Sequence, residues 1–449
     1  MGRTRVWRRC SGLVAGGMVL ALSAVPPGWA AAGPAADAAT FHVVATLPVA
    51  ARPVGVGVEP SIRAVYVASG PAQSVSVIDA DTGLATDSIP VGAGANGVAV
   101  DQVSRTVYVT NTGANTVSII DAKTNAVTAT VPAGPQPYFV AADPRAHTAY
   151  VTNVGGNTVT VIDMATASVR ATVMVGNQPA GVAVDPNARL VYVASSNLGD
   201  TMSVLDADAD TVVATVTVGS NPAGVAVDPG LGAVYVATAG GLAVVDTGTN
   251  TVTATVPVGA NPYAVAVDLT THLVYVTSLD DGTVAVLDGT THAVLRTLPA
   301  GSSPAGVDVD PLDHTAYVAN AGSDNVTVVG RWVPPVVTSQ PADAAVPSGE
   351  MATFTVAGSG SPRPRVRWQR RLPTQQGWHA IPEADGLTLS FLATARLDGT
   401  WYRAVLTSPA GTATSDPAQL TVQGGTPIEP PTEPPTGPPR YPGPQPPPF

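Results

Sequence analysis

An acidic residue that closes a short apolar run recurs at Glu59, Asp101, Asp143, Asp185, Asp228, Asp268 and Asp310, at intervals of 42, 42, 42, 43, 40 and 42 residues. Each interval carries the same four segments, close to G-V-A-V-D, V-Y-V-T-N, V-S-V-I-D and V-T-A-T-V-P-V-G. The segments alternate apolar and polar residues, the period of a half-buried strand. A unit of four short strands cannot bury both of its faces alone, so each copy must stack on its neighbours. The copies occupy residues 41–330, about two-thirds of the 449-residue chain.

A period near 40 residues made of four strands predicts a β-propeller blade, and seven copies fall within the usual range of about four to eight. In the fourth copy, Gly181–Asp185, Leu190–Ser195, Met202–Asp206 and Thr211–Gly219 are the expected strands a to d. The seventh copy stops after Val326–Val329 and lacks a fourth strand. Its missing run stands at the other end of the chain, where Phe41–Ala50 (FHVVATLPVA) matches the strand-d run Thr251–Gly259 (TVTATVPVG). The expected fold is therefore an all-β, seven-bladed propeller closed by an N-terminal strand, which removes an exposed sheet edge.

Tyr108-Val109-Thr110-Asn111 and Tyr150-Val151-Thr152-Asn153, with variants at Tyr66, Tyr192, Tyr235, Tyr275 and Tyr317, resemble the signature of the YVTN-repeat propeller family over residues 41–330. The resemblance implies architecture above all, shared with surface-layer and secreted repeat proteins. Seven of the 11 tyrosines hold this one strand-b position, which predicts packing between blades with the hydroxyls hydrogen-bonded. The recurring acids, followed by proline at Glu59, Asp143, Asp185, Asp228 and Asp310, are read as turn formers rather than metal ligands.

Aromatic residues make up only 5% of the chain, so the expected core is built from valine and alanine, which suit thin pleated sheets. Residues 41–330 hold 23 acids and 8 bases, a net charge of −15. Such a ring repels phosphate, so nucleic acid is not an expected partner. Arg3, Arg5, Arg8 and Arg9, an apolar run from Gly12 to Val25 and Ala30-Ala31-Ala32 form the pattern of a secretory signal over residues 1–32. The only cysteine, Cys10, lies inside that signal. A secreted protein with cell-surface association is expected, with no membrane span, no cofactor and no metal.

The propeller is expected over residues 33–330, with Arg331–Pro335 as a linker. Residues 334–423 carry Trp368 on an alternating strand and Asp398 to Tyr402 ahead of Ala404, features that resemble the core tryptophan and tyrosine corner of an immunoglobulin-like sandwich. Val356 and Ala404 stand where that family pairs cysteines, so packing alone must hold the core. Arg363, Arg365, Arg367, Arg370 and Arg371 are read as a solvated strand face. Residues 424–449 contain 12 prolines in 26 positions and are read as a disordered Pro-rich tail.

In a propeller the d–a and b–c loops share one face. The d–a loops here carry Arg52, Asn96, Gln136, Tyr138, Gln178, Asn221, Asn261 and Tyr263, a polar set that does not follow the repeat and is the expected ligand-binding site. The b–c loops alone vary in length: Tyr192 to Met202 spans one residue more than the usual nine, and Tyr235 to Leu242 two fewer. Tyr138 and Tyr263, three blades apart, are expected nearly opposite each other at the channel mouth. The expected function is non-enzymatic: a monomer whose loop face recognises an extracellular protein or a cell-wall glycan. The alternative is a propeller hydrolase, lactonase or lyase with a metal-assisted site at the mouth. Against it, His147, His272, His292 and His314 fall on turns of the opposite face, and no catalytic residues are assigned. Asp308 is the one oddity, an acid where strand a otherwise carries Ala99, Ala141, Ala183, Ala226 or Ala266.

Overall fold

The computed structural model describes residues 41–196, 200–361, 363–408 and 410–424. The expected signal, Cys10 and nearly all of the expected tail lie outside these residues. Strands between Phe41 and Arg331 form seven four-stranded sheets, each antiparallel. Six of them run in chain order; in the one at Pro179–Asp185, Leu190–Ser195, Thr201–Asp206 and Thr211–Thr217, the outer strand ends two residues earlier than expected. The seventh sheet combines Pro304–Asp310, Thr315–Asn320 and Asn325–Arg331 with Phe41–Pro48, paired from Phe41↔Arg331 to Pro48↔Asn325. Phe41 is fully buried, so the N-terminal strand is anchored by packing as well as by its ladder.

The first strand of each sheet contacts the first strand of the next in a closed cycle, with Pro53–Glu59 touching both Ala95–Asp101 and Pro304–Asp310. The architecture is a β-propeller. Sheets stack through small cores such as Tyr192, Met202 and Val204 of one against Val225, Val234 and Val245 of the next.

The recurring motif now has a physical meaning, residue by residue. Its tyrosine is buried between sheets, and in two copies the hydroxyl reaches a carbonyl of the next sheet: Tyr66 to Ala122 at 3.1 Å and Tyr235 to Gly289 at 3.0 Å. Tyr192 and Tyr275 depart from the expectation, since their buried hydroxyls have no partner. The threonine crosses to the next inner strand, Thr110 donating to the Tyr138 carbonyl at 2.7 Å and Thr152 to the Ala180 carbonyl at 2.7 Å. The asparagine ties its own sheet, Asn111 Nδ2 donating to Thr116 at 3.0 Å and Ser118 at 2.9 Å.

The recurring acids form turns as expected and do a second thing. Asp228 Oδ1 accepts from the Gly230 and Leu231 amides at 2.9 and 3.2 Å, while Oδ2 meets His272 Nδ1 of the next sheet at 2.7 Å. Arg189 reaches Asp143 and Arg63 reaches Asp310 in the same way, the latter across the junction of first and last sheets. Each of these three side chains sits four residues after its own sheet's acid, in left-handed backbone (φ 54° at Arg63, 58° at Arg189, 59° at His272).

Beyond Arg331 the strands change order. Val346 and Pro347 pair in parallel with Val422 and Gln423, and Arg365–Arg371 pairs with both His379–Asp385 and Trp401–Ser408. Trp368, Phe354, Tyr402, Val356 and Ala404 share one buried core, and the Trp368 indole N–H donates to the Gly386 carbonyl at 3.0 Å. The stretch expected as a linker is instead structured. Trp332 stacks on His42 at 4.0 Å, and Val333–Ser339 pairs with Ala357–Ser361. Pro334 and Pro335 are tolerated because the register skips from Val333 to Val336, where no ladder amide is required.

Candidate functional site

The loops that join one sheet to the next lie beside the b–c loops, and backbone hydrogen bonds lock the two sets together. Arg52 donates its amide to Asp324 Oδ1 at 2.8 Å, Gln136 to Asn115 Oδ1 at 2.8 Å, Gln178 to Asn157 Oδ1 at 3.0 Å and Asn221 to Asp200 Oδ1 at 3.2 Å. Asn261 reaches Asp280 through its side chain at 3.4 Å. The acids at this face are thereby used: Asp281 also caps a loop, accepting from the Ala260 amide at 2.6 Å.

The description of these polar residues as non-recurrent is corrected here. Arg52, Gln136, Gln178, Asn221 and Asn261 each precede a proline and each hold left-handed backbone, with φ between 49° and 55°. Ser303 before Pro304 does the same. The turn repeats although the residue type does not, and the hydrogen bond from its amide to the neighbouring b–c loop accompanies it at Arg52, Gln136, Gln178 and Asn221. Their side chains are exposed around the rim.

The remaining three residues lie one step further in, at the mouth of the channel. Asn96 is half-buried, and its Oδ1 has no protein partner. Tyr138 and Tyr263 meet hydroxyl to hydroxyl across the opening. They are thus brought together more closely than two walls of an open cleft. Phe139 packs against both, with ring centroids 5.2 Å from Tyr138 and 6.2 Å from Tyr263. Burial and the facing Tyr138 hold the Tyr263 hydroxyl far above the usual tyrosine range, so it keeps its proton.

Glycines set where these two tyrosines stand. A Cβ on Gly97 would lie 2.5 Å from the Tyr138 carbonyl oxygen, and one on Gly224 would lie 2.5 Å from that of Tyr263. Only glycine permits this approach of neighbouring inner strands. The Tyr263 carbonyl then accepts from the Gly224 amide at 2.7 Å, as the Tyr138 carbonyl accepts from Thr110. Both aromatic side chains therefore project from fixed backbone.

Beneath the pair lies the central channel, lined by inner-strand valines and alanines and by Asp308. Desolvation by the surrounding protein pushes the Asp308 carboxyl up to about 6, against two backbone hydrogen bonds that favour its charge. Among the described residues no three His, Cys, Asp or Glu side chains come together as a metal-binding group. No helix among them is long and apolar enough to cross a membrane.

Fold and site define a β-propeller protein. Residues 99–239 match the family model described as YNCE-like beta-propeller. Hydrazine synthase of Kuenenia stuttgartiensis shares the fold, with a TM-score of 0.58 at 21% identity over 64% of this chain and 97% of that one. Endoglucanase C of Cellulomonas fimi is 51% identical over 94 residues, 21% of this chain. The chain spans only 8% of that relative's length.

Proposed function

We propose that this chain is a secreted, non-enzymatic recognition protein: a seven-bladed propeller of the YVTN type over residues 33–330 whose loop face binds an extracellular protein or a cell-wall glycan. Residues 1–32 are its secretory signal, residues 334–423 an immunoglobulin-like module, and residues 424–449 a Pro-rich spacer. The observation that carries the reading is the Tyr138–Tyr263 pair, which no other blade reproduces and which packing between sheets does not require. Two aromatic rings held at the channel mouth offer stacking surface, the complement of a sugar face. The stretch shared with an endoglucanase supports a glycan over a protein, since a 94-residue segment of a much longer enzyme is the size of an accessory module. A glycan array probed with the full chain and with the Tyr138→Ala/Tyr263→Ala variant tests the proposal.

A hydrolytic reading draws on one observation, the Asp308 carboxyl held near neutrality in the channel, where it can act as a proton donor. Reducing-sugar release from soluble glucans by the full chain, compared with Asp308→Asn, decides that reading.

A further inference from the structure

All seven inner strands face a central cavity of about 320 Å³, within the range of small-molecule sites. Most of its lining side chains are aliphatic, among them Val98, Ala141, Val182, Val225 and Val265, while Gln102 and inner-strand backbone groups give it polar surface as well. Asp308 is the single charged lining residue, at a position where other sheets place Gly57, Ala99 or Ala183. Its Oδ2 accepts from the Val58 amide at 2.9 Å and its Oδ1 from the Val309 amide at 2.9 Å. Asp310, another acid, is the charged group that acts on it.

Two neutral amides leave most of a carboxylate's charge uncompensated among largely aliphatic side chains. A metal ion does not suit the site, because a hard divalent cation needs six or more oxygen ligands and one carboxylate is present. A neutral apolar guest would strip water from the acid and return nothing. What satisfies wall and acid together is an organic cation with an apolar body.

The way in is also visible. The Tyr138–Tyr263 pair bridges the loop face, so entry is from the opposite one. There Gln102 and Leu269 line the outer end of the cavity. Leu269 is 56% exposed and Val103, next to Gln102, 77% exposed.

We propose that the channel is a second binding site, entered from the face opposite the tyrosine pair, which takes a primary alkylammonium group with its nitrogen on Asp308. It is independent of the partner bound at the loop face. Calorimetric titration of the full chain with n-hexylammonium and with n-hexanol, a neutral probe of equal length, tests it. The ammonium should bind one to one and at least tenfold more tightly than the alcohol. Asp308→Asn removes the charge and keeps one of the two acceptor oxygens that meet the Val58 and Val309 amides; it should remain folded and abolish the tenfold difference. Ala226→Phe, which fills the cavity, should abolish binding of both probes, and it serves as the second test should Asp308→Asn misfold. Equal binding of the two probes by the parent, or undiminished ammonium binding in either folded variant, overturns the proposal.

Discussion

His314 and Asp268 meet across the boundary between the last two sheets, Nδ1 to Oδ2 at 2.7 Å, while Asp268 Oδ1 holds its own turn through the Thr270 and Thr271 amides at 2.9 and 3.3 Å. One carboxylate thus serves both the turn and the neighbouring sheet, and its side chain is fully buried. His314→Ala leaves that acid without its cross-sheet partner, which costs about 1–3 kcal/mol. Urea unfolding should show this loss with an unchanged m-value; a change below about 0.5 kcal/mol would remove the ties from the account of ring stability.

The buried strand tyrosines should respond differently to loss of the hydroxyl alone. Tyr66→Phe leaves the Ala122 carbonyl short of a donor and should cost about 1 kcal/mol. Tyr192→Phe removes a hydroxyl that has no partner and should be neutral or stabilising. Paired denaturation curves check the ordering, and a larger loss at Tyr192 would contradict it.

Closure of the ring rests on Phe41–Pro48. Phe41→Ala empties a fully buried site and should cost about 3–5 kcal/mol. Removing residues up to 48 uncovers the edge of Asn325–Arg331, so that protein should aggregate and melt at lower temperature. Light scattering during a thermal scan reads both effects.

Asp308 carries a pH signature. Its carboxyl titrates at about 6 in the folded chain, above the ordinary value of about 3.9. The native state therefore holds the proton over a window in which the unfolded state has released it, and stability falls as pH rises from about 4 through about 6. Asp308→Asn removes this contribution, so its melting temperature relative to the parent should rise between pH 4 and pH 7. A constant difference across that range would show that the carboxyl is not perturbed.

Much of this molecule could be read from residues alone. The acids at 42-residue intervals and the Val-rich alternation specify sheet, turn and repeat together, so strand order and the donation of Phe41–Pro48 follow from the pattern. Features that depend on the radius of the ring were not legible in it. Tyr138 and Tyr263 are 125 residues apart, and whether they face each other or touch is decided by how closely Gly97 and Gly224 let the inner strands approach. The left-handed turn shared by Arg52, Gln136, Gln178, Asn221 and Asn261 was hidden because its side chains differ while its backbone repeats. The proline after each was the available signal. Pro334 and Pro335 misled in the opposite direction, their composition suggesting a spacer where a register skip admits them into a strand pair.

On the reading proposed above, the tyrosine pair, and not the scaffold around it, makes the recognition surface. Its most direct test is co-sedimentation of the full chain with insoluble cell-wall polysaccharide, run beside Tyr138→Ala/Tyr263→Ala and beside Tyr192→Ala as a scaffold control. The parent should sediment with the polysaccharide, and the double variant should stay in solution while melting within a few degrees of the parent. Tyr192→Ala, destabilised by about 3 kcal/mol through the cavity it leaves, should still bind below its melting temperature. Retention of the double variant at the parental level would contradict the claim.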